Sequence, residues 1–341
     1  MSQIYVISEM KIKKSPLGLM NVLLARKIEE AAVRIRGYAL HTPLSESLEL
    51  SARLGSKVYL KWENTQPTGS FKIRGASNKI LANLESCRQK GVVAASTGNH
   101  GLAAAHVCSQ EKLRLELYVP RTISAVKKGY LEDYGVKLNL VDGPCQQAEK
   151  LAREAARSAG LVFVSPYNDE EVIAGQGTCG LEIWADWPEV EEVVVPVGGG
   201  GLIAGIACYL KEKNPSIIIT GIEPENSAFI KHSWLQGRLD NNFPEKPTIA
   251  EAVAGGLEDN SITFELIQKY VDRLLTVTEE AIIQAIIICF RHHRQQVEGA
   301  GALSLAGIRS YPELFSGRKL VAIVSGGNIE DNLWEKLVFS E

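Results

Sequence analysis

The chain has no Cys-x-x-Cys pair, no apolar run long enough to cross a bilayer and no marked excess of charge of either sign. Its six cysteines, Cys87, Cys108, Cys145, Cys179, Cys208 and Cys289, are scattered, several within apolar runs. That scatter argues against a zinc site or a disulfide framework and predicts reduced, buried thiols in a cytoplasmic protein. A net charge of −3 gives no reason to expect nucleic acid or an anionic membrane as a partner. The most apolar stretch, Ile282 to Phe290, is too short to span a membrane. Met1 to Pro16 mixes lysines with apolar residues and lacks the apolar core of a secretory signal, so the first twenty or so residues read as a variable arm. There is no long linker, internal repeat or low-complexity tract. The clearest irregular segment, Gly237 to Pro247, reads as a surface loop.

What is present is alternation. Strand-like runs at Lys57–Trp62, Val92–Ala95, Leu115–Val119, Lys137–Val141, Leu161–Val164, Val193–Val197, Ile217–Ile222, Leu274–Val277 and Leu320–Val324 are interleaved with helical patterns. The helical patterns cover Ser70–Leu84, His100–Gln110, Ser124–Tyr134, Gln146–Ala159, a long segment through Trp184, and Leu202–Lys211. Such βαβ repetition predicts an α/β protein with parallel sheets covered by helices on both faces. The length of 341 residues allows two lobes.

Four segments carry chemistry. In Thr68-Gly69-Ser70-Phe71-Lys72, a strand and a Pro/Gly turn deliver Lys72 to the start of a helix, with Ser70 as the expected N-cap. The positive end of a helix dipole and partial burial both disfavour a charged amine there. A neutral amine is a nucleophile for an aldehyde. A lone helix lysine is ordinarily a solvated cation, so position alone does not decide. Phe71 offers an apolar face beside it.

The second segment, Ser96-Thr97-Gly98-Asn99-His100-Gly101, follows a strand and opens a helix. Its backbone amides and hydroxyls suit a carboxylate, although an ordinary capped turn has the same pattern. The third is Gly198-Gly199-Gly200-Gly201 between strand and helix. Backbone without Cβ atoms can wrap a phosphate there. The same residues satisfy a loose dinucleotide fingerprint with Glu223 as the ribose acid, so an NAD-dependent oxidoreductase is a rival reading. The fourth, Ser325-Gly326-Gly327-Asn328, ends the last strand, where α/β proteins bind ligands. Glu298 is a further candidate for lining that cavity.

In order and spacing, these segments resemble the fold-type II pyridoxal-phosphate enzymes, and specifically the threonine/serine dehydratase and serine racemase family. The likeness runs from about Ala32 to the C-terminus. It includes Thr42-Pro43-Leu44, Ala174-Gly175-Gln176-Gly177-Thr178, Gly221-Ile222-Glu223-Pro224 and Thr276-Val277-Thr278-Glu279.

The resemblance implies a tryptophan synthase β-like fold with two open, twisted, mainly parallel sheets. Residues 1–80 and 168–341 would form a larger lobe, and 81–167 a smaller one that closes over the substrate. It further implies pyridoxal 5'-phosphate as cofactor, Lys72 as the Schiff-base lysine and proton acceptor, and Phe71 and Asn99 against the cofactor ring. Gly198, Gly199, Gly200 and Gly201 would hold the phosphate and Ser325 the ring nitrogen. Ser96, Thr97, Asn99 and His100 would surround the substrate carboxylate, with Thr97 a second catalytic hydroxyl. The implied reaction is α,β-elimination from a β-hydroxy amino acid, giving a 2-oxo acid and ammonia in a cytoplasmic homodimer. Racemisation, or elimination from 3-hydroxyaspartate or a bulkier β-hydroxy amino acid, is the alternative.

The sequence departs from the family at several points. Thr97 stands where racemases carry serine. Phe229 replaces an aspartate of a divalent-cation site, which leaves Glu223 as its remaining acid and predicts no metal. Glu251-Ala252 replaces the usual Asp-Gly after Thr248-Ile249-Ala250. The chain ends soon after Ser325, and feedback control through a C-terminal regulatory domain is not expected.

Overall fold

The computed structural model describes residues 16–240 and 242–339, with side chains from residue 23 onward, so most of the expected N-terminal arm lies outside the described residues. Among the described residues, ten strands divide between two sheets. They are β1 (Leu44–Glu46), β2 (Val58–Trp62), β3 (Val92–Ala95), β4 (Leu115–Pro120), β5 (Lys137–Val141), β6 (Val162–Phe163), β7 (Glu192–Pro196), β8 (Ile218–Pro224), β9 (Arg273–Val277) and β10 (Leu320–Val324). The larger sheet has the order β1-β2-β10-β7-β8-β9 and the smaller β5-β4-β3-β6. All pairings are parallel except β1 with β2. The expected sheet class is borne out. β1 was not anticipated, because one half-buried and two exposed residues carry no alternation to read.

The larger sheet is apolar on both faces, as parallel sheets are. Val193, Val195, Val321 and Ile323 face one cluster with Ile203, Ile206 and Ile183. Val194, Ala322, Val324 and Leu60 face the other with Leu303, Leu305 and Ile286. Each such fully buried aliphatic side chain contributes roughly 1.5–3 kcal/mol. Helices on the first face pack with almost no side chain between them. A Cβ on Gly175 would lie 2.5 Å from Arg74 O, and one on Gly205 would lie 2.6 Å from Gly177 N. The glycines of Ala174 to Thr178 thus let the helices Lys72–Ala82, Glu170–Asp186 and Gly201–Lys213 touch backbone to backbone.

Three local expectations change. Ser70 is not an N-cap: Phe71 occupies that position, and Ser70 instead bridges to Gly326. The helix expected over Ser70–Leu84 breaks at Asn83, whose side chain turns back to Lys79 O at 2.9 Å. All six cysteines are free, but Cys145 is exposed at the start of its helix rather than buried. No helix among the described residues is long and apolar enough to cross a membrane.

Candidate functional site

The carboxyl ends of β10 and β3, and the turn after β2, converge on Lys72. The turn is fixed by backbone pairing with the end of β10: Phe71 N donates to Ser325 O at 3.1 Å, and Gly327 N to Gly69 O at 2.9 Å. Segments some 250 residues apart therefore form one wall, with Lys72 at the first position of its helix. Its Nζ donates to the carbonyl of Pro166 at 2.8 Å and lies 5.1 Å from the centre of the Phe71 ring. Burial pushes the amine down to about 8, against the opposing pull of Glu298 and Glu149. The residue as a whole is half-buried, and the lowered value makes the amine deprotonable.

The glycine run lies beside it, and the link is Pro166-Tyr167. Pro166 holds the amine, while the next residue lays its ring against the loop: a Cβ on Gly199 would sit 2.4 Å from Tyr167 ring carbons. A Cβ on Gly198 would lie 2.8 Å from Val253 Cα. Gly200 has φ +83°, a conformation that favours glycine, and directly precedes the Gly201–Lys213 helix. The first amides of that helix have no carbonyl one turn earlier, so they face the loop as an anion cradle. The sequence reading had no role for Pro166-Tyr167, because a Pro-Tyr pair in a loop carries no motif.

Asn99 begins the Asn99–Gln110 helix and is buried. Its Nδ2 donates to Glu298 Oε1 at 2.6 Å, and its Oδ1 accepts from Asn328 Nδ2 at 2.7 Å. Asn328 Nδ2 also donates to Thr68 O at 2.8 Å. Burial pushes the Glu298 carboxyl up to about 7, despite the Asn99 hydrogen bond and the charges of Lys127 and Lys72. Ser96 and Thr97 are half-buried in the preceding turn, where Ser96 Oγ accepts from Gly98 N at 3.1 Å. His100 turns inward: its ring is buried, with Nε2 2.9 Å from Val164 O, and burial followed by the charge of Lys72 lowers it to about 3. A neutral, inward ring leaves the backbone amide as what His100 offers an anion.

Ser325 is buried, and its hydroxyl makes a long 3.4 Å contact with Ala300 O. Nearby Ser70 Oγ is buried without a partner among the described residues. An under-used hydroxyl, an orphaned one, a lysine whose charge burial weakens and a Cβ-free cradle fit a phosphorylated aldehyde with a ring nitrogen. Glu223, by contrast, is spoken for. Its two oxygens accept from Ile230 N at 2.9 Å and Lys231 N at 2.7 Å, so it caps the Phe229–Gln236 helix and has no oxygen turned to a ribose. Burial raises it to about 8. No group of three or more acidic, histidine or cysteine side chains suited to a metal occurs among the described residues.

A family model described as pyridoxal-phosphate dependent enzyme matches residues 35–326. The chain belongs to that family. Pyridoxal phosphate is therefore its cofactor, and the dinucleotide reading of the glycine loop is set aside. Over 311 residues the chain is 39% identical to the L-threonine ammonia-lyase of Thermotoga maritima, covering 91% of this chain and 77% of that one. It is also 39% identical over 307 residues to the catabolic L-threonine dehydratase TdcB of Staphylococcus aureus, covering 89% and 88%. Among solved structures, the processed form of threonine deaminase isoform 2 from Solanum lycopersicum superposes with a TM-score of 0.88 at 30% identity, over 98% of this chain and 96% of that one. Maize serine racemase superposes with a TM-score of 0.85 at 33% identity, over 92% and 96%.

Proposed function

We propose that the protein is a pyridoxal-phosphate-dependent ammonia-lyase that eliminates water from a β-hydroxy amino acid of the L-threonine or L-serine type, releasing a 2-oxo acid and ammonia. One observation carries the residue assignment: adjacent residues, Pro166 and Tyr167, touch the Lys72 amine and the glycine cradle respectively. An aldehyde-reactive amine and a phosphate site one residue apart suit a single cofactor. The threonine ammonia-lyase and dehydratase relatives support the reaction class.

Bound pyridoxal phosphate supplies an electron sink for the bond broken at the α-carbon. The chain's own residues do the rest. Lys72, neutral above about pH 8 when free, attaches the cofactor and later takes the α-proton at Nζ. The backbone amides of Gly198, Gly199, Gly200 and Gly201 would hold the cofactor phosphate. Phe71 would pack beside the ring, and the Ser325 hydroxyl would donate a hydrogen bond to the ring nitrogen. That neutral donor leaves the ring a weaker sink than a carboxylate partner would, which favours prompt elimination. Ser96, Thr97, Asn99 and the His100 amide receive the substrate carboxylate.

Residues 81–167 act as the smaller lobe and 1–80 with 168–341 as the larger. Contacts between them support closure over the substrate, among them Lys127–Glu251 at 3.4 Å, Ser124 to Glu330 at 3.1 Å, and Arg153 to Glu258. The working form is a cytoplasmic homodimer, which sedimentation of the purified protein checks. Racemisation is the second reading, favoured by the half-buried Thr97 hydroxyl and the likeness to maize serine racemase. A screen of β-hydroxy amino acids, read both by 2-oxo acid release and by chiral chromatography, tests both. Racemised substrate without oxo acid would replace the lyase assignment.

A further inference from the structure

Glu298 stands at the N-cap position of the Gly299–Ser310 helix, where a carboxylate ordinarily accepts hydrogen bonds from its own helix amides. It makes no such bond. The side chain turns away and accepts from Asn99, 199 residues earlier in the chain, at 2.6 Å. Room for that turn depends on Gly326: a Cβ there would lie 2.3 Å from Glu298 Oε1. The other end of the Asn99 amide is held too, because Oδ1 accepts from Asn328, which is itself anchored to Thr68 O. A donor on one side and an acceptor on the other allow only one orientation of the amide.

We infer that Glu298 is a positioning residue: it fixes the Asn99 amide so that the second Nδ2 hydrogen is presented to the phenolic oxygen of the bound cofactor. The inference rests on the reading that Asn99 faces that oxygen. As a carboxylate Glu298 can only accept, which holds the orientation. Once protonated it carries a donor of its own, and the hold slackens. The groups that act on it are Lys127 and Lys72 as cations, Glu251 as an anion, and the Asn99 amide. Burial places its titration near neutral pH.

The test uses the holoenzyme and measures cofactor affinity and the pH dependence of its visible band in wild type and variants. Glu298→Ala and Asn99→Ala are each expected to weaken cofactor binding about tenfold, and the double variant no more than either single. Glu298→Gln keeps an acceptor for Asn99. It is expected to bind within about threefold of wild type and to lack the change in the band around pH 7 that is expected of wild type. Gly326→Ala, which crowds the carboxylate off Asn99, should behave as Glu298→Ala does. Losses that multiply in the double variant, or a silent Glu298→Ala beside a weakened Asn99→Ala, overturn the role of Glu298 alone. An Asn99→Ala protein with wild-type affinity and band removes the Asn99 reading and the inference with it.

Discussion

One helix, Lys72–Ala82, carries two basic side chains two residues apart, Lys72 half-buried and Arg74 buried, and they meet opposite fates. Arg74 points to the back of the helix. It bonds Glu63 through Nε and an Nη nitrogen, both at 2.7 Å, and Glu182 through both Nη nitrogens at 2.6 and 2.8 Å. Lys61, also fully buried, reaches Glu182 at 2.7 Å and Thr42 O at 2.7 Å. Burial would strip the charge from Arg74, but Glu63 and Glu182 outweigh it and hold the guanidinium charged. Lys72 points to the front, where a neutral carbonyl is its hydrogen-bond acceptor, and there burial wins. Burial by itself therefore predicts nothing about a lysine or arginine. What decides is whether a buried carboxylate is hydrogen-bonded to it directly. The back of the helix is a fixed anchor, and the front is left chemically unsatisfied.

Replacing each cation should separate the two roles. Lys72→Ala is expected to lower 2-oxo acid release by about 10³-fold or more, with the urea unfolding midpoint nearly unchanged. A variant that is unstable but active would invert the comparison. Arg74→Met strands Glu63 as a buried carboxylate and leaves Glu182 with Lys61 alone. It should cost about 3–5 kcal/mol of stability, measured by urea unfolding of the apoprotein, and a loss below about 1 kcal/mol would show that the network relaxes.

The third test uses the sign of the lysine shift. Neutral amine is the reactive form, so covalent capture of the aldehyde by apoprotein should rise with pH through about 8, rather than near the ordinary value of 10.5. A stopped-flow pH profile of the visible band measures it, and a midpoint near 10 would show that Lys72 is solvated. The same shift means that stability increases as pH rises from about 8 towards 10.5, because there the unfolded chain holds a proton that the folded one has lost. The smallest effect is at the cradle. Gly199→Ala drives a methyl against Tyr167, at a cost of roughly 1–3 kcal/mol in cofactor binding. Equilibrium titration reads that loss, and unchanged affinity would mean that Tyr167 swings aside freely.

Much of this was legible before any coordinates. The alternation of strands and helices, the strand-turn-helix setting of Lys72, and the Gly198 to Gly201 bend are written within short windows. Propensity, turn chemistry and missing Cβ atoms act locally, so they survive as pattern. The short β1 strand, the break at Asn83 and the misassigned cap at Ser70 show where local rules lose. Ser70 has cap chemistry, yet pairing with Gly326 takes its backbone elsewhere.

By itself, then, the sequence determined the layered α/β architecture and the kind of group each segment could offer. Tertiary structure alone decided the state of those groups. It put Pro166 against Lys72, Glu298 against Asn99, and Glu63 with Glu182 around Arg74. The reason is physical: protonation and orientation depend on desolvation and on the nearest partner. In this chain those partners lie up to 199 residues away, beyond the reach of any local pattern.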